Sequence, residues 1–329
     1  MLVLGVSLVA TGTVAVDGTT QAAFVDGELG DGSVTAAASF DRGPPGPRAY
    51  DDANGNGQWD QGEPTYTESD LYSFDDSSAD LVVPSDVGTI NNSGSIDVTA
   101  GSITAETNFQ SDSGSVSLAA TDGDAGLNDQ EVLAAGTASV TATGTANVDG
   151  ATLIGVFGDA SVSGKSVSAR NANVVSYFGT TTLSARERGG GPLDATGATL
   201  QSRYGGDIVL ESSGDMVLET AELQAPYGEI TADLRRGSST LFVDGASITD
   251  SDDTLIYSPR GTSVDGTPAA GSVSSGSGGG GRPAAANRAV APGSTMGSDR
   301  SPPEKLERPI DWEVIGRQLD IPLSSTQSS

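Results

Sequence analysis

The sequence predicts an all-β protein: a single-stranded parallel β-helix, or solenoid, with an N-terminal cap and a disordered C-terminal tail. Three observations lead there. First, between about Gly94 and Asp250 the chain repeats itself. Segments starting at Ala151, Ala172, Ala198, Ala221 and Ala246 superimpose at spacings of 21, 26, 23 and 25 residues. The first four run into an aromatic–glycine step, at Phe157-Gly158, Phe178-Gly179, Tyr204-Gly205 and Tyr227-Gly228. Second, each step is followed by a short alternating stretch, as in Ala160-Ser161-Val162, Thr181-Thr182-Leu183, Ile208-Val209-Leu210 and Ile230-Thr231-Ala232. A fixed period enclosing strand-like alternation marks a solenoid of β-strands. Third, Leu, Ile, Val and Phe supply only 67 of 329 residues. That lies close to the roughly 20% at which highly charged chains are expected to be disordered. It is too little for a large globular core, but enough for a thin one in which each coil contributes a few inward residues. The period predicts about seven coils, with Leu153, Val174, Leu200 and Leu223 aligned along one axis.

The elements follow in order. Residues 1–23 read as a secretory signal, with an apolar, uncharged run over 2–16 and small residues ending in Gln21-Ala22-Ala23. The run is too short and glycine-rich for a comfortable membrane span. No Lys or Arg precedes it, which points to a start codon upstream of Met1. The next residues, Ala23-Phe24-Val25-Asp26-Gly27 and the Gly/Ser/Thr-rich stretch to Ala37, resemble the mature N-terminus of camelysin-type biofilm-fibre and surface proteins. That resemblance covers about the first forty residues and implies secretion through a dedicated signal peptidase. It does not carry that family's jelly-roll fold onto the repeats.

Residues 24–86 are expected to form an N-terminal strand and a calcium-loop module, with Pro44, Pro45 and Pro47 in a turn-rich lead-in. The β-helix repeats are placed at 87–258. The long spacing between Phe178 and Tyr204 assigns Arg186–Pro192 to a loop extruded from one coil. Residues 259–303, rich in Gly, Ser, Ala and Pro, read as a flexible linker. In the tail, 304–329, Trp312, Ile315 and Leu319 fall at helical intervals and suggest a short docking helix. The repeats at Gly94-Ser95-Ile96-Asp97-Val98, Gly114-Ser115-Val116-Ser117-Leu118 and Gly214-Asp215-Met216-Val217-Leu218 are similar to β-strand-repeat adhesins of bacteria and archaea.

Charge narrows the partners. The chain carries −28 at neutral pH, from 44 acidic against 16 basic residues, and only two lysines, Lys165 and Lys305. Such a surface repels phosphates, so nucleic acid and anionic lipid are excluded as partners. The excess of Asp with so little Lys resembles proteins of salt-loving archaea, in which high salt screens the mutual repulsion. There is neither Cys nor His. Disulfide frameworks, thiol and histidine nucleophiles and the usual zinc sites are therefore excluded, and any metal must be a hard cation held by oxygen.

The sharpest motif runs from Asp52 to Glu63. Counted from Asp52, Asn54, Asn56 and Asp60 stand at positions 3, 5 and 9, Gly57 at 6, Gln58 at 7 and Glu63 at 12. This is the calcium loop of an EF-hand, position by position. Asp52, Asn54 and Asn56 would converge on the ion, Gly57 would permit the reversal, Gln58 would offer its backbone carbonyl, Asp60 would act through water and Glu63 would close with two oxygens. Proline and glycine on the flanks deny the loop the usual helix pair, so calcium here is expected to be structural. The competing reading is an Asx turn without metal. A second acidic loop, Asp122 to Glu131, has Leu127 where the turn glycine belongs and reads as a solvated surface turn, as does Ser251-Asp252-Asp253. The aromatic–glycine residues are expected inside or at a corner, the glycine adopting a backbone shape other residues avoid. The alternative is an outward, sugar-binding ladder.

An enzymatic reading, as a polysaccharide lyase or glycoside hydrolase, would draw on Asp159, Lys165, Arg170, Arg203 and Asp207. The repeat alignment brings them to no common position, so no catalytic residue is assigned. The expected function is that of a secreted, extracellular or cell-surface structural protein or adhesin. It would be stabilised by calcium, bind surface glycans, other proteins or copies of itself in a filament, and have no transmembrane segment in the mature chain.

Overall fold

The structure is a computed structural model that describes residues 48–186, 189–235, 239–257 and 262–276. The expected signal, the strand over 24–47, most of the Gly-rich linker and the C-terminal docking helix lie outside these residues. The chain winds as a parallel β-solenoid of about nine turns, more than the seven expected. Each complete turn presents three short strands, so the solenoid has three faces. Turn 4 illustrates the unit: Ala138–Ala142 on face 1, Thr145–Asn147 on face 2 and Thr152–Gly155 on face 3. Turn 5 repeats it with Ala160–Gly164, Ser166–Ser168 and Asn173–Ser176. In turns 1 and 2 the first two faces are fused into the long strands Ser73–Val83 and Ile96–Ala105, which join faces 1 and 2 into one 19-stranded sheet. Face 3 is a separate sheet of 8 strands.

Register explains how so few apolar residues suffice. Leu153 pairs with Val174, Val174 with Leu200, Leu200 with Leu223 and Leu223 with Ile248, and all five are at most 1% exposed. The column continues the other way through Val132, Phe109 and Ile90. Face 1 contributes Val98, Leu118, Val140, Val162, Leu183 and Leu210 in the same fashion. Face 2 contributes Ile103, Ala125, Ala146, Val167, Leu193 and Met216. Each short strand thus spends one to three inward residues on a continuous core and keeps its alternate residues outside.

The corners are built by separate devices. Where face 2 passes into face 3, one residue per turn adopts a left-handed backbone. Asp129, Asn171 and Thr220 have φ of 59°, 54° and 56°, and Gly150, Gly197 and Gly245 have 70°, 68° and 70°. The residue that follows, an alanine in every one of these turns but the first, closes a tight turn, its N–H donating to the carbonyl three residues back, as from Ala151 to Val148 at 3.0 Å and from Ala221 to Leu218 at 3.1 Å. The repeating alanines of the sequence are the buried first residues beyond this corner.

Where face 3 passes into face 1, glycines stack. A methyl group on Gly179 would lie 2.7 Å from the carbonyl carbon and oxygen of Gly158, and one on Gly158 2.8 Å from Gly136. The glycines following Phe157, Phe178 and Tyr227 are therefore demanded by close approach of successive turns and not by an unusual φ, whereas Gly205, after Tyr204, has the expected unusual φ, 127°. The buried hydroxyls of Ser111, Ser176 and Ser202 serve this corner, donating to the carbonyls of Gly94, Gly158 and Gly179 at 2.7, 2.8 and 2.7 Å. That accounts for polar side chains inside an otherwise apolar column.

The third corner, between faces 1 and 2, takes up the differences in period. Gly164 is followed by the next strand at Ser166, whereas Ala185 is followed by one at Leu193. The long spacing in the repeat thus belongs to this corner.

Both ends of the solenoid extend beyond the expected 87–258. The parallel ladder starts at Ser73, paired with Asp97, and reaches Ser275, paired with Tyr257. Strands Ser263–Asp265 and Ser272–Ser275 were hidden in a stretch that reads as linker because only Val264 and Val273 carry the alternation. At the start, Ala49–Asp51 pairs antiparallel with Thr65–Tyr66 and with the strand end at Leu81 and Val82, and a short 3₁₀ helix, Glu68–Tyr72, buries Leu71. This hairpin caps the first turn and carries the acidic loop at its tip. No described helix is long and apolar enough to cross a membrane.

Candidate functional site

The loop between the two cap strands is organised by its own side chains. Asp52, 6% exposed, accepts the N–H groups of Asn56 at 3.0 Å and Gly57 at 2.7 Å on its two oxygens. Asn54 accepts from Asn56 N–H at 3.1 Å, and Asn56 from Gln58 N–H at 2.7 Å. Gly55 and Gly57 turn the chain with φ of 71° and 75°, and the Tyr50 hydroxyl fixes the reversal by donating to the Gly57 carbonyl at 3.0 Å. Glu63 folds back to accept Asp60 N–H at 2.8 Å through one oxygen, while its other oxygen is buried with no hydrogen-bond partner. The frame is that of successive Asx turns closed by a glutamate.

The donor set suits a hard cation only after adjustment. The amide nitrogens of Asn54 and Asn56 both donate to Asp60, and no group of three or more acidic side chains placed to hold an ion occurs among the described residues. Turning the two amides would present oxygens in place of nitrogens. The orphaned oxygen of Glu63 is the atom that an ion would satisfy.

The residues weighed for catalysis stand apart. Asp159 accepts Thr180 N–H at 2.8 Å, and Asp207 accepts Glu229 N–H at 3.0 Å, both across the corner between faces 3 and 1. Lys165 lies at the corner between faces 1 and 2. Arg170, beyond face 2, pairs with Asp194 at 2.7 Å. The Arg203 guanidinium lies 4.9 Å from the centre of the Tyr177 ring. Carboxylates here chiefly cap the backbone of the next turn, as do Asp124 on Thr145 and Asp215 on Thr240. Asp194 is held below the usual carboxylate range: burial pushes it up, but the hydroxyl and N–H of Thr196 and the Arg170 guanidinium outweigh that.

The densest charge cluster was not anticipated. Arg186 reaches from turn 6 to Glu211 and Asp233 of the next two turns, which face outward in register. Burial lowers the basicity of this guanidinium, and the two carboxylates oppose that shift. Each carboxylate is committed to the arginine, so the trio ties turns together and offers no free acid–base pair. The second acidic loop also departs from expectation. Leu127 is fully buried in the core, and Asp122–Glu131 supplies a whole run of turn 3 rather than a surface excursion.

The aromatic column lies outside the solenoid. Phe157, Phe178, Tyr204 and Tyr227 are 44%, 48%, 47% and 73% exposed. Phe157 and Phe178 stack at 5.7 Å with planes 10° apart, and Phe178 and Tyr204 at 5.3 Å and 27°. Phe157, Phe178 and Tyr204 stack on one another, while Tyr227 stands 73% exposed. That suits cohesion between turns better than the open ring faces a sugar would stack on. Beside them lies a feature the alternation rule concealed. Leu133, Ile154 and Val175 point out of face 3, opposite the core, and with Ala135, Val156 and Tyr177 form a separate apolar cluster. Its signal in the sequence is the doubled apolar pair Val132-Leu133, Leu153-Ile154 and Val174-Val175.

No protein-family model, curated protein or solved structure matches the chain.

Proposed function

We propose that the chain is a secreted structural protein of the cell surface or extracellular matrix, an adhesin-like rod clamped at its N-terminal end by calcium. The observation that carries this reading is the employment of the polar side chains. Asp124, Asp159, Asp207 and Asp215 are spent on capping successive turns, and both carboxylates of the Arg186 cluster are held by its guanidinium. What remains is a stiff column of about nine turns, roughly 40 Å long at about 4.8 Å per turn. Its lateral surface is suited to binding by area, to surface glycans or proteins. Calcium would sit among Asp52, Asn54, Asn56, Asp60 and Glu63, with the Gln58 carbonyl, and stiffen a hairpin whose loop has little apolar material of its own. The last strand, Ser272–Ser275, has no described partner on its far side, while the first turn is capped. Growth by strand pairing is therefore supported at one end only, which favours single rods over long filaments.

The test uses the secreted chain. Trp59 donates to the Glu63 carbonyl at 3.3 Å, close enough to sensitise terbium luminescence. Terbium bound in the loop should be displaced by calcium and lost in Glu63→Gln. Calcium should raise the melting temperature of the parent and leave that of Glu63→Gln unchanged. Electron microscopy should show dispersed short rods, and acidic polysaccharides should keep their chain length on incubation. Depolymerisation of such a polysaccharide would overturn the structural reading in favour of an enzyme.

A further inference from the structure

Asn91 differs from every other asparagine of the chain in both sequence context and surroundings. Of ten asparagines, only Asn91, in Asn91-Asn92-Ser93, is followed two residues on by serine or threonine. That is the pattern at which oligosaccharides are attached to asparagine in secreted chains. Asn91 is the middle residue of Ile90–Asn92, the first strand of face 3, and it is exposed while Ile90 is buried in the core. Its backbone is fully used: the N–H donates to Glu68 at 3.1 Å, and the carbonyl accepts the Tyr72 hydroxyl at 2.8 Å. Its side-chain amide carries no hydrogen bond among the described residues. Other asparagines are spent on the fold. Asn54 and Asn56 donate to Asp60, Asn92 donates to the Ser95 carbonyl, and Asn108 and Asn147 accept the backbone N–H groups of Glu131 and Asp149. The strand ends at Asn92, and Ser93 is exposed in the bend that follows. Ser93 serves the fold through its carbonyl, which accepts the Ser113 hydroxyl, and not through its own side chain.

We propose that Asn91 is a modification site and carries an N-linked oligosaccharide. The proposal rests on the secreted reading above, because such sugars are added beyond the cytoplasm. The co-reactant is a lipid-linked oligosaccharide, joined through its anomeric carbon to a polyprenyl phosphate or diphosphate. A bond forms between Asn91 Nδ2 and that anomeric carbon while the carbon–oxygen bond to the phosphate breaks. The lipid phosphate leaves with the bonding electron pair, and the amide nitrogen gives up one proton. The Ser93 hydroxyl, two residues on, is the second group that the transferase reads. The position suits a bulky, hydrated substituent. An outward amide without a partner can be substituted without breaking any contact of the fold. The site also lies at the capped end of the solenoid. The eight strands of face 3 place it seven spacings, about 34 Å, from the last of them. The sugar would therefore stand beside the hairpin end and leave the later turns open to partners.

The test is the mass of the full chain recovered from the surface or medium of the cells that make it. That mass should exceed the mass of the processed polypeptide by a whole number of sugar residues, and peptide mapping should place the gain on Asn91. Asn91→Gln and Ser93→Ala should each lose the gain, and Ser93→Thr should keep it. Neither side chain holds the fold, so all three variants should give the parent's circular dichroism spectrum, which separates lost modification from lost structure. A secreted parent with Asn91 unmodified overturns the proposal and leaves the structural reading standing. So does sugar found only on serine or threonine, or a gain at Asn91 that survives Ser93→Ala. A chain found only in the cytoplasm overturns the proposal and the secreted reading together.

Discussion

Placing a methyl group at Gly179 tests the spacing of the turns directly. Its Cβ would stand 2.7 Å from the carbonyl carbon and oxygen of Gly158, against ordinary contact of about 3.4–4 Å. Relief requires turns 4 and 5 to part locally at this corner by about 0.7 Å or more. The Phe178 N–H to Val156 carbonyl bond, 3.2 Å long, would then pass out of hydrogen-bonding range. Overpacking of this sort costs about 1–3 kcal/mol, while the loss of glycine's freedom in the unfolded chain returns about 0.4–1 kcal/mol. The net loss is roughly 1–2 kcal/mol, or about 2–8 °C in melting temperature at 2–4 °C per kcal/mol for a domain of this size. Gly94→Ala is the control. The nearest atom to its added methyl is 3.7 Å away and its φ is not left-handed, so it should melt at or slightly above the parent. Thermal melts followed by circular dichroism, compared by midpoint because stacked repeats need not unfold in two states, give the answer. If Gly179→Ala melts no lower than Gly94→Ala, the glycines are not in contact and the close stacking of this corner is wrong.

Two other substitutions probe different corners. Thr220 is a β-branched residue at φ 56° whose hydroxyl donates only to the neighbouring Glu219 carbonyl. A left-handed residue costs about 1–2 kcal/mol and glycine about 0.5–1 kcal/mol in backbone freedom. Thr220→Gly should therefore raise the urea midpoint by an amount equivalent to roughly 0.5–1 kcal/mol, and a lower midpoint would contradict the left-handed assignment. Asp194 has its carboxyl held below the ordinary range in the folded state. Its stabilising contribution is therefore present above the unfolded value of about 3.9 and lost as pH falls through the lower folded value. Asp194→Asn should be less stable than the parent by about 1 kcal/mol at neutral pH, with the gap closing in acid. A gap that widens below pH 4 would contradict the arrangement around Thr196 and Arg170.

The parts of the molecule visible in the sequence are those where one residue type is forced at one place. Inward Leu and Val at a regular interval, alanine after the left-handed corner and glycine at the tight one each have a single steric reason, so they recur and can be aligned. The ends escaped because their turns satisfy the same geometry otherwise. Turns 1 and 2 fuse two strands through one corner, and the last strands, Ser263–Asp265 and Ser272–Ser275, carry only Val264 and Val273 among small and acidic residues. The Arg186 trio escaped because its members are 25 and 47 positions apart and only stacking brings them together. The acidic loop shows the converse. Its spacing is plain in the sequence and its backbone frame follows, while the turning of the Asn54 and Asn56 amides onto Asp60 is set by hydrogen bonds that spacing alone does not specify.

Faces 1 and 3 run on with scarcely a change in strand length, yet the passage from Ala142 to Thr145 is brief and that from Ala185 to Leu193 is long. Most extra residues therefore enter at one seam, where they leave the interior columns undisturbed. A family built on this plan can vary its surface by lengthening one edge of successive layers, spaced about 4.8 Å apart, without renegotiating the interior. The same seam is the natural place to graft a peptide for display, since whatever is inserted there would stand in a row along the rod.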